Sequence, residues 1–397
     1  MTDELLKWRD EFPIVQKSTY LVSHSLGAMP RGVYDTMRDY ADIWAERGVQ
    51  AWEDNWFELN GVIGNRIGGI INAPENTVSI HQNTSLVVSI LLSGLDFSDT
   101  KRRKMVITSM IFPSVYYVLK QMLPPHIELC MVESEDGITV PTEKLLDAID
   151  EDTCFVSVSH VLFRSGYIMP VQQIIEKAHS VGAKILVDAY HGGGIVPIDV
   201  TALNADFLVG GVLKWMCGGP GGVFLYVRPD LIKTVEPKIT GWFAHQNPFG
   251  FEVDEIVFRE DPYRFLNGTF GVPSLYAIQP GIDVIAQIGV DNIRAKSRRQ
   301  TALLFELAQN AGLKLKSPSN PDERGGMVVV EVPHAYEVSK ELIARKIMID
   351  FRPNASIRIA PHFYNTDDEV LLAVEAIQQI LESGDWQKHA DEDSFVM

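Results

Sequence analysis

Lys184-Ile185-Leu186-Val187-Asp188-Ala189-Tyr190-His191 is a short apolar run that ends on a carboxylate. It is followed by Ala205-Asp206-Phe207-Leu208-Val209-Gly210-Gly211-Val212-Leu213-Lys214-Trp215-Met216-Cys217-Gly218-Gly219-Pro220-Gly221-Gly222. The second stretch carries one lysine, Lys214, between the strand-like segments Asp206–Gly210 and Gly222–Val227, with no helical pattern between them. That spacing predicts a hairpin with Lys214 at its turn. Upstream, strands are expected at Thr77–His81, Lys104–Thr108, Ile127–Val132 and Cys154–Ser159. Helices are expected at Thr84–Leu95, Val115–Leu123, Thr142–Ile149 and Val171–Val181. The β-then-α rhythm with continuous apolar strands predicts an α/β fold: a mainly parallel seven-stranded sheet covered on both faces.

After about Gly281 the pattern changes to a long helix through Ala311, strand Met327–Val332, helix Tyr336–Arg345 and strands near Ile347–Phe351 and Ser356–Ala360. A final helix spans about Asp367–Leu381, and the polar tail after Trp386 is expected to fray. The chain therefore divides into an N-terminal segment (1–45) packing on the small domain and the site entrance, a large domain (46–281) and a smaller α+β domain (282–397).

With 46% apolar and 22% charged residues among 397, the composition is that of a well-buried globular protein. A net charge of −17 argues against a nucleic-acid partner, since the surface repels phosphate backbones. No apolar run approaches a membrane span, and the charged start Met-Thr-Asp-Glu lacks a signal-peptide core, so the expected location is cytoplasmic. Cys130, Cys154 and Cys217 show neither disulfide nor metal-ligand spacing.

In open α/β sheets ligands bind beyond the carboxyl ends of the strands, which draws attention to the polar residues there. A desolvated amine at Lys214 is nucleophilic near neutral pH and can form a Schiff base with pyridoxal 5'-phosphate (PLP). Asp188 can pair with the protonated pyridine nitrogen of that cofactor. His81-Gln82-Asn83-Thr84-Ser85 opens an apolar helix whose free amides suit a phosphate, and Phe112 can stack on a ring. Each residue also has an ordinary reading: a snorkelling lysine, a turn aspartate, an N-cap and a core phenylalanine.

Taken in order, the segments Ser23-His24-Ser25-Leu26-Gly27-Ala28-Met29-Pro30, Asp188-Ala189-Tyr190-His191, Lys214 with its Gly-Gly-Pro-Gly-Gly, Gly241-Trp242-Phe243-Ala244-His245 and Asn267-Gly268-Thr269 resemble the kynureninase-like branch of the class V aminotransferases. These are PLP enzymes of fold type I. The resemblance covers nearly the whole chain. It implies that Lys214 is the Schiff-base lysine and Cα base, Asp188 the pyridine partner and His191 a neighbour of the ring oxygen or phosphate. It further implies phosphate contacts from Asn83 and Thr84, stacking by Phe112, and a homodimer in which Trp242 and Thr269 reach the neighbouring subunit's cofactor phosphate. Arg358 matches the arginine that holds the substrate carboxylate. Ser25 and His245, with Trp242 and Phe243, are expected to shape the substrate side of the pocket.

Two positions depart from kynureninases. Leu213 stands where they carry a tyrosine, and Val115 where they carry an aspartate three residues after the stacking phenylalanine. Both changes point away from kynurenine as the substrate. No cysteine follows Cys217, which argues against the persulfide relay of class V cysteine desulfurases. The resemblance thus implies an external aldimine and a Cα carbanion, leading to lyase or hydrolase chemistry at the β-carbon. Alternatives are a transaminase, an epimerase and an inactive binding protein on the same fold.

Overall fold

Alternation along the strands decides which way each side chain of the main sheet faces. Val106, Val156, Val158, Ile185, Val187 and Leu208 enter one core, whereas Met105, Ile107, Phe155, Leu186, Phe207 and Val209 enter another. The computed structural model describes residues 3–390. In chain order its strands are β1 (Thr19–Tyr20), β2 (Val78–His81), β3 (Lys104–Thr108), β4 (Glu128–Val132), β5 (Thr153–Ser159), β6 (Lys184–Asp188), β7 (Phe207–Gly211) and β8 (Val223–Val227). They continue with β9 (Lys314–Leu315), β10 (Val328–Glu331), β11 (Ile347–Met348), β12 (Asp350–Arg352) and β13 (Ser356–Ile359).

The main sheet has seven strands in the order β2-β8-β7-β6-β5-β3-β4. Strands β3 to β7 pair in parallel, and β8 is antiparallel to both β7 and β2. The β7–β8 hairpin forms as expected, with Lys214 in its connection. Helices cover both faces because their apolar residues recur at helical spacing; Val171–Ser180 buries Val171, Ile174, Ile175 and Ala178. The free edge of β2 is closed by helix Leu59–Ile70. Asn60 donates to the Ile80 carbonyl at 2.8 Å and accepts from its N–H at 3.0 Å, so a side-chain amide stands in for a neighbouring strand.

A second sheet, β12-β13-β10-β9, is antiparallel and has its own core around Val328, Val330, Ile357, Ile359 and Val374. The N-terminal segment joins this layer: β1 pairs in parallel with β11, and Arg9 bridges Glu369 at 2.8 Å.

Three expectations need correction. The long helix is two helices, Val272–Ile288 and Val290–Asn310, separated by Gly289 with φ 81°. The expected strand near Ile347–Phe351 divides into β11 and β12, which pair with β1 and β13 respectively. The start of the tail is anchored: Asp385–His389 forms a 3-10 helix and Trp386 stacks on His334 with ring centroids 3.5 Å apart. Residues 391–397 lie outside the described residues.

Candidate active site

Five strands of the main sheet deliver their carboxyl ends to one cavity of about 310 Å³, a size typical of small-molecule sites. Asn83, Thr84 and Ser85 line it from the helix start that follows β2. Phe112 and Ser114 come after β3, while Ser159, Val161 and Phe163 come from the end of β5. Asp188, Tyr190 and His191 follow from β6, and Leu213 and Lys214 from the hairpin connection.

Lys214 is buried, and its Nζ lies 2.5 Å from His191 Nε2 and 4.9 Å from the Tyr190 ring centroid. Burial, reinforced by the nearby charge of Arg358, lowers its pKa to about 7. Among the described residues, no carboxylate comes within ion-pair distance of this amine. Burial, with Lys214 next in effect, holds His191 well below its ordinary value, so the imidazole is neutral. Trp215 donates to the His191 carbonyl at 3.0 Å and fixes the backbone there, whereas His191 Nδ1 is buried without a partner.

Asp188 is the second unusual group. Burial pushes its carboxyl up to about 6, and it accepts the Tyr190 N–H at 2.9 Å. Among the described residues no cation pairs with it. At the opposite wall Asn83 caps helix Thr84–Gly94 by accepting the Leu86 N–H at 2.9 Å. The Thr84 and Ser85 amides have no protein acceptor among the described residues and start a helix whose dipole favours an anion.

Of the residues singled out in the sequence, Asn83, Thr84, Phe112, Asp188, His191 and Lys214 meet in this cavity. Trp242, Thr269, His245 and Ser25 do not line it. Trp242 is 40% exposed among an aromatic group that includes Phe249, and Thr269 is also exposed. His245 lies in a separate groove with Asn247 and Glu252. Ser25 is half-buried, with its N–H on the Val22 carbonyl. The neighbouring Gly27 instead touches the site from behind, donating to the Leu213 carbonyl at 2.9 Å. Phe243 is fully buried against Trp52 and Phe57 rather than lining the pocket.

Arg358 is buried one layer out, paired with Asp350 and donating to the carbonyl of the lining residue Phe163. Val115 packs in the hydrophobic core, and the polar side chain offered near Phe112 is Ser114. Sequence reasoning passed over Ser159, Phe163 and Tyr190. Ser159 and Tyr190 sit at or just past strand ends, so the carboxyl-end rule that singled out Asp188 could have found them.

The fold and the cavity define a fold type I PLP enzyme. The Asp188 carboxylate and the Lys214 amine, neither in an ion pair among the described residues, together with the anion-seeking helix start suit a cofactor with a cationic ring, an aldehyde and a phosphate. The aminotransferase class V family model matches residues 19–370, and the chain belongs to that family. It is 31% identical to a kynureninase of Pseudomonas fluorescens over 97% of this chain and 94% of that protein. A kynureninase of Burkholderia mallei (strain SAVP1) gives the same identity and coverage. Among solved structures it is similar to a cysteine desulfurase of Thermococcus onnurineus, with a TM-score of 0.84 at 22% identity over 95% of this chain and 98% of that one. A cystine C-S lyase has a TM-score of 0.83 at 18% identity over 92% and 99%. At these identities both structures speak for the fold alone. No helix among the described residues is long and apolar enough to cross a membrane.

Proposed function

We propose that the protein acts at the β-carbon of an amino acid, as a lyase or hydrolase that uses PLP. The observation that carries this reading is the Lys214 amine, buried against His191 in the cavity that Asp188 also lines and brought to a pKa of about 7. PLP, when bound, supplies an aldehyde carbon for an amine and a ring that accepts electron density from Cα. The chain's own residues do the rest. Lys214 would offer the attachment point, and its free amine would take a proton from Cα at a pH where a useful fraction is unprotonated. Asp188 would hold the pyridine nitrogen, and a proton there would supply the cation the carboxylate lacks. Asn83, Thr84 and the helix amides would hold the phosphate, with Phe112 stacked on the ring and neutral His191 beside it.

Arg358 would receive the substrate carboxylate. Ser25 and His245, outside the chain's own cavity, are assigned to the substrate entrance. The kynureninase relatives favour the β-carbon as the reacting position, but Leu213 puts an aliphatic side chain in the cavity wall, which favours a substrate other than kynurenine. A homodimer is part of the proposal because Trp242 and Thr269 are exposed outside their own cavity, available to a neighbouring site. A cytoplasmic location suits three cysteines that all remain free.

The test is a product assay. Holoenzyme is incubated with kynurenine and with amino acids carrying a good β-leaving group, each with and without a keto acid, and products are identified by mass spectrometry. The expected outcome is β-fragment release without a keto acid, with kynurenine the poorer substrate. Turnover only in the presence of a keto acid would establish a transaminase instead, and rapid anthranilate release would make kynurenine the substrate.

A further inference from the structure

Arg358 has five N–H donors, and three are already committed inside the protein. Nε donates to Asp350 Oδ1 at 2.8 Å, Nη2 to Asp350 Oδ2 at 2.5 Å, and Nη1 to the Phe163 carbonyl at 2.6 Å. Two donors remain, one on each terminal nitrogen. That is the number a carboxylate takes in a bidentate contact. Phe163 lines the cavity, and its bond to Nη1 sets the Arg358 guanidinium directly behind that stretch of the wall.

Asp350 is itself 1% exposed and fully engaged. Besides Arg358, His24 Nε2 lies 2.9 Å from Oδ1 and Arg352 Nη2 lies 3.2 Å from Oδ2. Burial opposes ionisation of Asp350, but the contacts from His24 and Arg358 outweigh it and hold the carboxyl well below its usual range. Burial also brings His24 down to about 4, so at neutral pH the ring is an uncharged donor through Nε2. His24 belongs to the same N-terminal segment as Gly27, which binds the Lys214 turn. One carboxylate therefore ties β12, β13 and the N-terminal segment together.

We propose that Asp350 is a positioning residue: it clamps one edge of Arg358 so that the two remaining donors face a substrate carboxylate. The inference rests on the reading of Arg358 as the carboxylate receptor. A clamped fork is already ordered before the substrate arrives, so less conformational freedom is lost on binding.

The test compares L-alanine with ethylamine, which lacks the carboxylate, as ligands of the holoenzyme, with affinities read from the change in cofactor absorbance. Wild type should prefer L-alanine by about tenfold or more, the scale of a bidentate charged contact. Asp350→Asn should lose about tenfold on L-alanine while its ethylamine affinity is unchanged, since only the carboxylate contact depends on the clamp. If Asp350→Asn keeps the preference and Arg358→Gln loses it, the positioning role is overturned while the reading of Arg358 stands. If Arg358→Gln also keeps it, that reading fails and the proposal with it. Should Asp350→Asn not retain PLP, His24→Ala decides: a reduced preference supports the clamp, and an unchanged one overturns it.

Discussion

Asp188 has no cation beside it among the described residues, and the rise of its carboxyl on burial implies a pH-dependent cost to the apoprotein. The carboxyl rises from 3.8 to about 6 on folding. Below about pH 4 both folded and unfolded states are largely protonated and the penalty is small; it grows through the window up to 6 and is complete above it. That rise corresponds to about 3 kcal/mol. Asp188→Asn should therefore raise the melting temperature of the apoprotein at pH 7.5, with the gap closing toward pH 4. With PLP bound the order should reverse, because the wild type then gains a charge partner that the variant cannot use. Calorimetry of both proteins with and without PLP checks this, and an apo wild type more stable than the variant at pH 7.5 would show that the carboxylate has a partner of its own. Asp188 and Lys214 were legible in the sequence because each closes or follows an apolar strand. The His24–Asp350–Arg358 cluster was not, because only the tertiary fold brings residue 24 beside residues 350 and 358.

At the scale of elements, the strands were readable because a buried parallel sheet demands continuous apolar runs, and the hairpin was readable because no helical pattern separates β7 from β8. The amino-terminal helices were missed for different reasons. Helix Gly32–Arg47 has no fully buried residue; its stripe of Met37, Tyr40 and Ile43 packs only partly buried against the core and was passed over among the charges that flank it. Helix Leu59–Ile70 contains Gly61, Gly64, Gly68 and Gly69, which local propensity disfavours, yet a Cβ at Gly64 would stand 2.2 Å from the Val78 carbonyl. Close packing against β2 overrides propensity there. The same logic gives a test of how the N-terminal segment supports the site. A Cβ at Gly27 would lie 2.0 Å from the Lys214 carbonyl oxygen, a backbone atom that cannot move without shifting the turn. Gly219, in the same connection, has φ 71° but nothing within 4 Å of an added Cβ. Gly219→Ala should lower stability by about 1 kcal/mol and keep its PLP. Gly27→Ala should cost more than about 2 kcal/mol and reduce PLP content, since it displaces the Lys214 turn. Equal PLP content in both variants, measured on purified protein, would detach the segment from the site.

For the whole molecule, the proposed dimer explains two observations together: Trp242 and Thr269 lie outside their own cavity, and Trp242, Phe249 and Phe251 are 40%, 59% and 74% exposed. Aromatic surface of that kind is characteristic of interfaces. Sedimentation should give a dimer, and subunits carrying Lys214→Ala mixed with subunits carrying Thr269→Ala should form hybrids with one doubly defective site and one intact site. Activity recovered in the hybrids supports sharing of sites between subunits, whereas a fully active monomer contradicts it. Neither the interface nor the substrate was legible from one chain, because both depend on surfaces whose composition is only weakly constrained by folding. The central claim, that Lys214 carries the cofactor, is tested most directly by mass spectrometry of the PLP-loaded protein after borohydride reduction. The account predicts one PLP-sized mass increment per chain, confined on digestion to the peptide containing Lys214 and absent in Lys214→Ala. An unmodified chain, or an increment on another lysine, would contradict it.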